Sequence, residues 1–565
     1  MNKLWSFPEI DKNKSKALSA ETGLSRIIVE LLLNRGIQTL NEAKLFFNPS
    51  EEHFHDPFLL NDMEKAIEIV FKHIEKDNRI LIYGDYDVDG TTSTSILYLT
   101  LKKMGARVTY YIPKREEGYG LSIKGIESAK QVGISLIISC DCGITAHKEV
   151  EFAMSNGIEV IITDHHEAVG ELPNAAAVVD PKRPDSSYPF RNLSGAGVAF
   201  KFVQAIRKHQ DKENWYAEEF YDLAALGTAA DIVPMTGENR VIVSLGLPAI
   251  FKGGRVGLKS LLRSSGFKKN RLTVSDVIFK FGPRINAVGR IGDAREAAEL
   301  FTTNNFQRAE ELAKKFEILN TERRAIDMKT FKEAEEQLLE RYDPDQFSGA
   351  VLYGENWHQG VIGIVASRIT EKYHRPAVMI SLNNGIGRGS GRSIPGFNLH
   401  EALKECSDLL IGFGGHEQAG GLTIERSKLQ EFVDTFDDVV AAKLTDEMIK
   451  PTLKVESKIS FGEIDKKLLE TIRRLEPYGV DNAQPIFVSE GVEIEGKPLI
   501  VGDNHLKMKV KQGGILFDTI GFNMAEDLVR ILNPPEAGIK LAYEIEENEW
   551  NGRKNTQLVL KDIQL

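Results

Sequence analysis

Hydrophobic positions along the chain follow two periods, and the switches between them outline its elements. From residue 79 to about 180, short apolar runs alternate with longer amphipathic ones. Runs rich in β-formers at 80–83, 108–112, 136–139, 160–163 and 177–179 predict strands. Stretches at 93–104, 123–132 and 148–156 have helical spacing. Strand and helix alternating with short connections imply right-handed crossovers and a parallel sheet covered on both faces. Ahead of this region, 25–36 reads as a compact helix stopped by Gly36. Residues 63–75 form an amphipathic helix with Ile67, Val70, Phe71 and Ile74 on one face. Residues 305–342 lack proline and glycine and repeat apolar residues at helical spacing, among them Leu312, Phe316, Ala334 and Leu338. At ~1.5 Å per residue such a helix spans on the order of 55 Å, more than one domain needs. It is expected to connect two lobes. A second α/β unit starts at Ala350, and beyond Pro451 short strands separated by Gly, Asp and Asn turns predict a small barrel.

Polar chemistry gathers at the ends of the predicted strands. The first strand stops at Gly84 and is followed by Asp85, Asp87 and Asp89, and a helical pattern opens at Thr91. All three acids are therefore expected in the turn. Carboxylates this close repel one another unless protons or cations lie between them, and hard divalent ions such as Mn²⁺ or Mg²⁺ prefer oxygen ligands. In open parallel sheets, ligands bind beyond the carboxyl ends of the strands. Later strands end there in Asp141, flanked by Cys140 and Cys142, in Asp164-His165-His166, and in Asp180-Pro181. Asp231 closes a small-residue helical stretch, where a charge is costly unless paired or metal-bound. Together these groups would build a site for two cations. His165 and His166 are adjacent and cannot point the same way, so at most one is expected to be a ligand.

Length and charge refine this picture. At 565 residues the chain should hold three or four domains of roughly 100–200 residues each. Its net charge of -11 argues against a surface uniformly coated for nucleic acid. Between Lys252 and Arg290, however, ten basic residues face Asp276 alone. That stretch is either a local polyanion track or a basic face paired with acids elsewhere. It includes Arg284, Asn286 and Arg290 in a glycine-flanked segment suited to phosphate. Glycines alternate with Arg388, Ser390 and Arg392, and Gly412-Phe413-Gly414-Gly415 precedes His416; both read as loops that cradle phosphate. Three cysteines support neither a disulfide framework nor a zinc site, and Cys140 and Cys142 read as small buried residues. No run of 18 apolar residues occurs and residues 1–8 lack a signal-peptide core, so a soluble intracellular protein is expected.

In order, Gly84 to Gly90, Asp141-Cys142-Gly143, Asp164-His165-His166 and Asp231 match the four motifs of the DHH phosphoesterase superfamily. From about residue 50 onward the chain resembles the RecJ-type single-strand-specific 5′→3′ DNA exonucleases. The resemblance implies an α/β fold with a helical lead-in (1–50), a parallel-sheet DHH catalytic domain (51–304), a connecting helix (305–342), a smaller DHHA1 substrate domain (343–450) and an OB-like barrel (451–565). It implies two Mn²⁺ or Mg²⁺ ions held by Asp87, Asp89, Asp141, His165 and Asp231, with Asp141 as the bridge. Asp85 would be a nearby carboxylate, His166 would face the scissile phosphate, and Asp164 would orient the histidines. Arg284, Asn286 and Arg290 become phosphate contacts. Arg388, Ser390, Arg392 and His416 become contacts for the DNA backbone or its 5′ phosphate. Lys507, Lys509, Lys511 and Phe522 are candidates on the barrel, a fold suited to single strands.

The implied reaction is hydrolysis of single-stranded DNA from a 5′ end. The ions would acidify a shared water, and ions and arginines would neutralise charge developing on the phosphoryl oxygens. The resemblance also implies a cytoplasmic monomer in DNA repair and recombination, served by a helicase or single-strand-binding protein, with no membrane partner. Tyr83 stands where several other DHH enzymes carry histidine, which leaves open the first ion's ligands and the role of Asp85. Two rivals are a phosphodiesterase for short oligonucleotides or cyclic dinucleotides, and a non-catalytic replication scaffold. The extra barrel and basic stretch disfavour the first, and the intact set of motif acids disfavours the second.

Overall fold

Strand Arg79–Tyr83 lies between Arg107–Tyr111 and Ile134–Cys140, with Glu159–Thr163 and Ala177–Val179 extending the sheet beyond the latter. All four pairings are parallel. The second strand flanks the first on one side and the third flanks it on the other. Consecutive crossovers therefore leave towards opposite faces and open a crevice at the carboxyl ends of the first and third strands. Burial explains why these strands read as continuous apolar runs. Ile80, Ile82, Leu136 and Ile138 pack on one face, and Leu81, Tyr83 and Ile137 pack on the other. The computed structural model describes residues 3–211, 215–252, 254–343, 346–502, 504–532, 538–550 and 553–565.

After the first strand, the helix begins at Val88, three residues before Thr91. Asp87 caps it, its Oδ1 accepting from the Gly90 amide at 2.9 Å. Only Asp85 and Asp87 therefore lie in the turn, while Asp89 sits in the first helical turn. The apolar period misses this start because an acid and a glycine occupy the opening positions, whereas an aspartate cap satisfies the free amides there.

The connecting helix, Phe306–Arg341, runs for 36 residues with Asn305 as its cap. Ala309, Leu312 and Phe316 join the first lobe's core and Ala334 and Leu338 the second's, with buried Asn320, Arg323, Asp327 and Thr330 between them. A helix apolar at both ends and polar in the middle serves two cores.

In the second lobe, Ile386–Arg392 and Gly412–Gly415 are strands of a mixed five-stranded sheet, not loops. Period two explains the first of them. Gly387, Gly389 and Gly391 face the core, where a Cβ would come within 2.8, 2.7 and 2.9 Å of Ile380, Leu422 and Leu399. Arg388, Ser390 and Arg392 consequently share the opposite face.

Five strands from Phe487 onward close into a barrel when Ile539–Trp550 pairs back with Phe487–Val501. Ile28, Leu31 and Leu32 of the lead-in helices enter the barrel's core rather than that of the first lobe. The Arg240 guanidinium ties barrel and first lobe together by donating to the carbonyls of Phe46, Arg474, Leu475, Glu476 and Pro477.

Much of the basic stretch is a face paired with acids rather than a polyanion track, while Arg290 has no such pair among the described residues. Arg255 pairs with Asp222, Arg263 with Glu310, Lys269 and Lys280 with Asp276, Arg271 with Glu476, and Arg284 with Glu317. Most of these partners lie far off in sequence, where a local charge count cannot see them.

Candidate metal centre

The acids converge because backbone comes unusually close around them. Asp141 leaves the third strand with φ +62° and donates its amide to the Thr163 carbonyl at 3.0 Å. Helix Gly195–His209 begins directly beside it: a Cβ on Gly195 would lie 2.6 Å from Asp141 Oδ1. A Cβ on Gly227, in helix Tyr221–Ala230, would lie 2.7 Å from Asp89 Oδ1. Only glycine allows these approaches. The amides of Gly195 and Ala196 donate to the two oxygens of Asp89 at 2.7 and 2.8 Å, a helix N-terminus fixing a carboxylate.

His165 Nε2 lies 3.0 Å from Asp141 Oδ1, 3.7 Å from Asp231 Oδ2 and 3.9 Å from Asp89 Oδ2. Asp89, His165 and Asp231 present donor atoms within 4.8 Å of one another, and so do Asp85, Asp87 and Asp141. Asp141, a member of the second group and in contact with His165 of the first, would join two adjacent cation positions. Asp85 Oδ1, Asp141 Oδ1, Asp231 Oδ2 and His165 Nε2 are buried without a hydrogen-bond partner. Burial and then repulsion between neighbouring carboxylates push Asp85, Asp141 and Asp231 well above the usual carboxylate range. Asp89 is pushed up to about 7 by burial and the Asp87 charge. Burial and neighbouring His166 hold His165 down to about 3, leaving its imidazole neutral with a lone pair to offer. Buried oxygens that repel one another, with one neutral imidazole, fit Mn²⁺ or Mg²⁺.

Asp164 stands behind the histidines. Its Oδ1 accepts from His166 Nδ1 at 2.7 Å and from the amides of His165 and His166 at 2.7 and 3.3 Å, and its Oδ2 accepts from the Ile144 amide at 2.9 Å. Burial alone would raise its pKa, but the His166 hydrogen bond and the histidine charges hold it below the usual carboxylate range. Burial would likewise lower His166, and Asp164 more than reverses that. Asp180, buried nearby, is pushed up to about 8 by its burial and then by Asp164.

Tyr83 takes no ligand position. It is packed in the core on the opposite face, its hydroxyl 3.3 Å from Ser122 Oγ. Asp85 supplies the donor beside Asp87 and Asp141 instead.

The arginines divide. Arg284 is turned into an ion pair with Glu317 and donates to the Lys280 carbonyl, so it is not placed to meet a phosphate at the metal rim. Asn286 braces the acidic loop, its Oδ1 accepting from the Val88 amide at 3.1 Å. Arg290 donates to the Gly360 carbonyl at 2.7 Å, and burial together with the charge of Arg115 brings its pKa down to about 10. Arg392 donates to Ser390 Oγ and the Gly391 carbonyl, and is depressed by burial and again by Arg115. Arg115, Arg290 and Arg392 have no carboxylate partner among the described residues. Arg388 is exposed on the same sheet as Arg392, and His416 is exposed just past strand Gly412–Gly415.

Sequence reasoning missed Arg115 and Tyr119. Both lie in the connection after the second strand's carboxyl end, where the rule about strand ends already pointed. The Arg115 guanidinium lies 5.2 Å over the Tyr86 ring, and the Tyr119 hydroxyl donates to the Asp141 carbonyl at 2.8 Å.

Three family models match the chain: the DHH family, N-terminal domain over 79–228, the DHHA1 domain over 346–442, and the RecJ OB domain over 455–562. The "Single-stranded-DNA-specific exonuclease RecJ" of Bacillus subtilis is 38% identical over 562 residues, covering 99% of this chain and 70% of that protein. The protein of that name from Escherichia coli is 35% identical over 528 residues, covering 89% of this chain and 90% of its own. The crystal structure of RecJ in complex with Mn²⁺ from Thermus thermophilus superposes with a TM-score of 0.84 at 28% identity, covering 100% of this chain and 79% of that one. With its acids and histidines in the same order and on one rim, the chain belongs to the RecJ family of DHH phosphoesterases.

Proposed function

We propose that the chain hydrolyses phosphodiester bonds of single-stranded DNA, one nucleotide at a time from a 5′ end. The observation that carries this reading is the pair of cation positions sharing Asp141, with an uncompensated arginine cluster close by. Asp85, Asp87, Asp89, Asp141, His165 and Asp231 would hold two Mn²⁺ or Mg²⁺ ions, which supply Lewis acidity and water acidified towards neutral pH. This chain's own groups do the rest. Asp164 keeps the His166 proton on Nδ1 and aims the ring at the scissile phosphate. Arg290 and Arg392, already desolvated, hold a phosphate strongly because little reorganisation remains. With Ser390 and Arg115 they would seat a terminal 5′ phosphate and leave the first internal bond at the acidic rim. The relatives' names support a single-strand substrate, and family membership supports a monomer working in the cytoplasm in repair and recombination, beside a helicase or single-strand-binding protein.

The test compares 5′-phosphorylated with 5′-hydroxyl strands. Wild type is expected to prefer the phosphate, and Arg392→Ala to erase the preference. One charge-assisted contact of about 1.5–3 kcal/mol corresponds to roughly 10- to 100-fold in kcat/KM. Equal cleavage of a 5′-blocked, 3′-labelled strand contradicts the polarity. Faster turnover of a dinucleotide than of a long strand would favour the oligonucleotide rival.

A further inference from the structure

Helix ends in this chain repeat one device. After the capping residues Met104, Val132, Asn156 and Ser265, the next residue is glycine with φ between +64 and +84°: Gly105, Gly133, Gly157 and Gly266. Helix Tyr221–Ala230 ends the same way, with Asp231 as its cap, but the left-handed position is held by Ile232 at φ +62°. Among the described residues at positive φ, the rest are glycine, aspartate, asparagine, histidine or alanine. Ile232 is the one β-branched residue in a conformation that crowds its Cβ against the backbone. Its side chain is 61% exposed, so core packing does not explain the choice. The turn is clamped from outside: the Met235 amide donates to the Val480 carbonyl at 2.8 Å, and Gly479 packs against Met235. Strain that persists because its surroundings over-determine it is typical of functional positions.

The location says what the side chain is for. Asp231 presents an oxygen to the His165 and Asp89 group, so Ile232, exposed and one residue further on, sits at the edge of the rim that a bound phosphate would approach. The groups flanking a scissile phosphate are sugars and bases, whose apolar faces a branched aliphatic side chain can cover without reading sequence. We propose that Ile232 is a substrate-contacting residue that packs on the nucleotide beside the scissile phosphate, the left-handed turn being tolerated to hold that side chain out over the metal rim. This rests on the nuclease reading above.

Ile232→Gly and Ile232→Asn suit the left-handed conformation and remove the branched side chain, and Ile232→Val keeps most of it. The expected result has three parts. The glycine and asparagine variants melt at or above the wild-type temperature and bind Mn²⁺ by calorimetry as wild type does. Their kcat/KM on single-stranded DNA falls about tenfold or more, the order expected for losing a buried aliphatic contact. Ile232→Val stays within about fourfold of wild type, as loss of one methylene at about 0.8 kcal/mol allows. Full activity in the glycine variant overturns the proposal. So does a lower melting temperature, which would make the residue structural, and so does weakened Mn²⁺ binding, which would make it act through Asp231. A wild-type protein that releases no nucleotide with Mn²⁺ would instead sink the nuclease reading itself.

Discussion

Asp141→Ala is expected to abolish cleavage of single-stranded DNA, by roughly 10³-fold or more, while the strand still binds. Asp141 is grouped with Asp85 and Asp87 and also lies 3.0 Å from His165 of the other trio, so it would serve both cation positions. Its removal leaves Asp85 and Asp87 on one side, and Asp89, His165 and Asp231 on the other, without their common member. Binding survives because the groups assigned to the phosphate, Arg290, Ser390 and Arg392, belong to a different part of the cleft. The variant should also fold, because burial and the charges of Asp89, Asp87 and Asp231 push the Asp141 carboxyl well above its ordinary range, so its loss removes a group that is costly to bury. Release of labelled nucleotide, strand binding by anisotropy and thermal stabilisation by Mn²⁺ check the three parts. A variant that keeps both its Mn²⁺ stabilisation and its turnover would show that Asp141 is not the shared ligand.

Glu238→Ala is expected to be the most destabilising single change in the first lobe, by about 3–5 kcal/mol. Lys201 and Glu238 form an ion pair at 3.0 Å with side chains 0% and 1% exposed. Tyr188 donates to Glu238 Oε2 at 2.6 Å, the His55 amide donates to Oε1 at 3.1 Å, and Lys201 Nζ donates to the His55 carbonyl at 2.6 Å. Aromatic rings of Phe54, Tyr188 and Trp215 stand 5.4 to 6.0 Å from that ammonium. Burial already lowers the Lys201 pKa and Glu238 opposes the shift, so removing Glu238 strands a cation in an apolar box. The effect should reach the active site, because Lys201 lies in the helix whose first amides hold Asp89. Urea unfolding of the first lobe measures the loss, and Lys201→Met in the same chain should recover most of it, since no charge is then stranded. A Glu238→Ala variant within about 1 kcal/mol of wild type would mean that the pair is dispensable.

Much of this is legible in the sequence. The parallel sheet follows from apolar runs too short for helices, and the rim from acids placed where such strands end. Asp87 and Asp89 show where local pattern runs out: both acids were visible, but which one caps the helix depends on a hydrogen bond to Gly90 that apolar spacing does not encode. Arg284 fails for a different reason. Its partner Glu317 comes from the connecting helix, and a count of neighbouring charges is blind to that distance. By number, the glycines at 387, 389 and 391 read as a loop, although their alternation encodes a strand packed against Leu422 and Leu399. Arg115 and Tyr119 belong to no motif. Their place after a strand's carboxyl end was the available signal.

Acids distant in the chain gather around two cation positions that one aspartate would join. Anomalous scattering from crystals grown with manganese tests this arrangement most directly. Two peaks about 3.5–4 Å apart with the Asp141 carboxylate between them are expected. A rim without manganese, or a lone ion that Asp141 does not touch, contradicts the account.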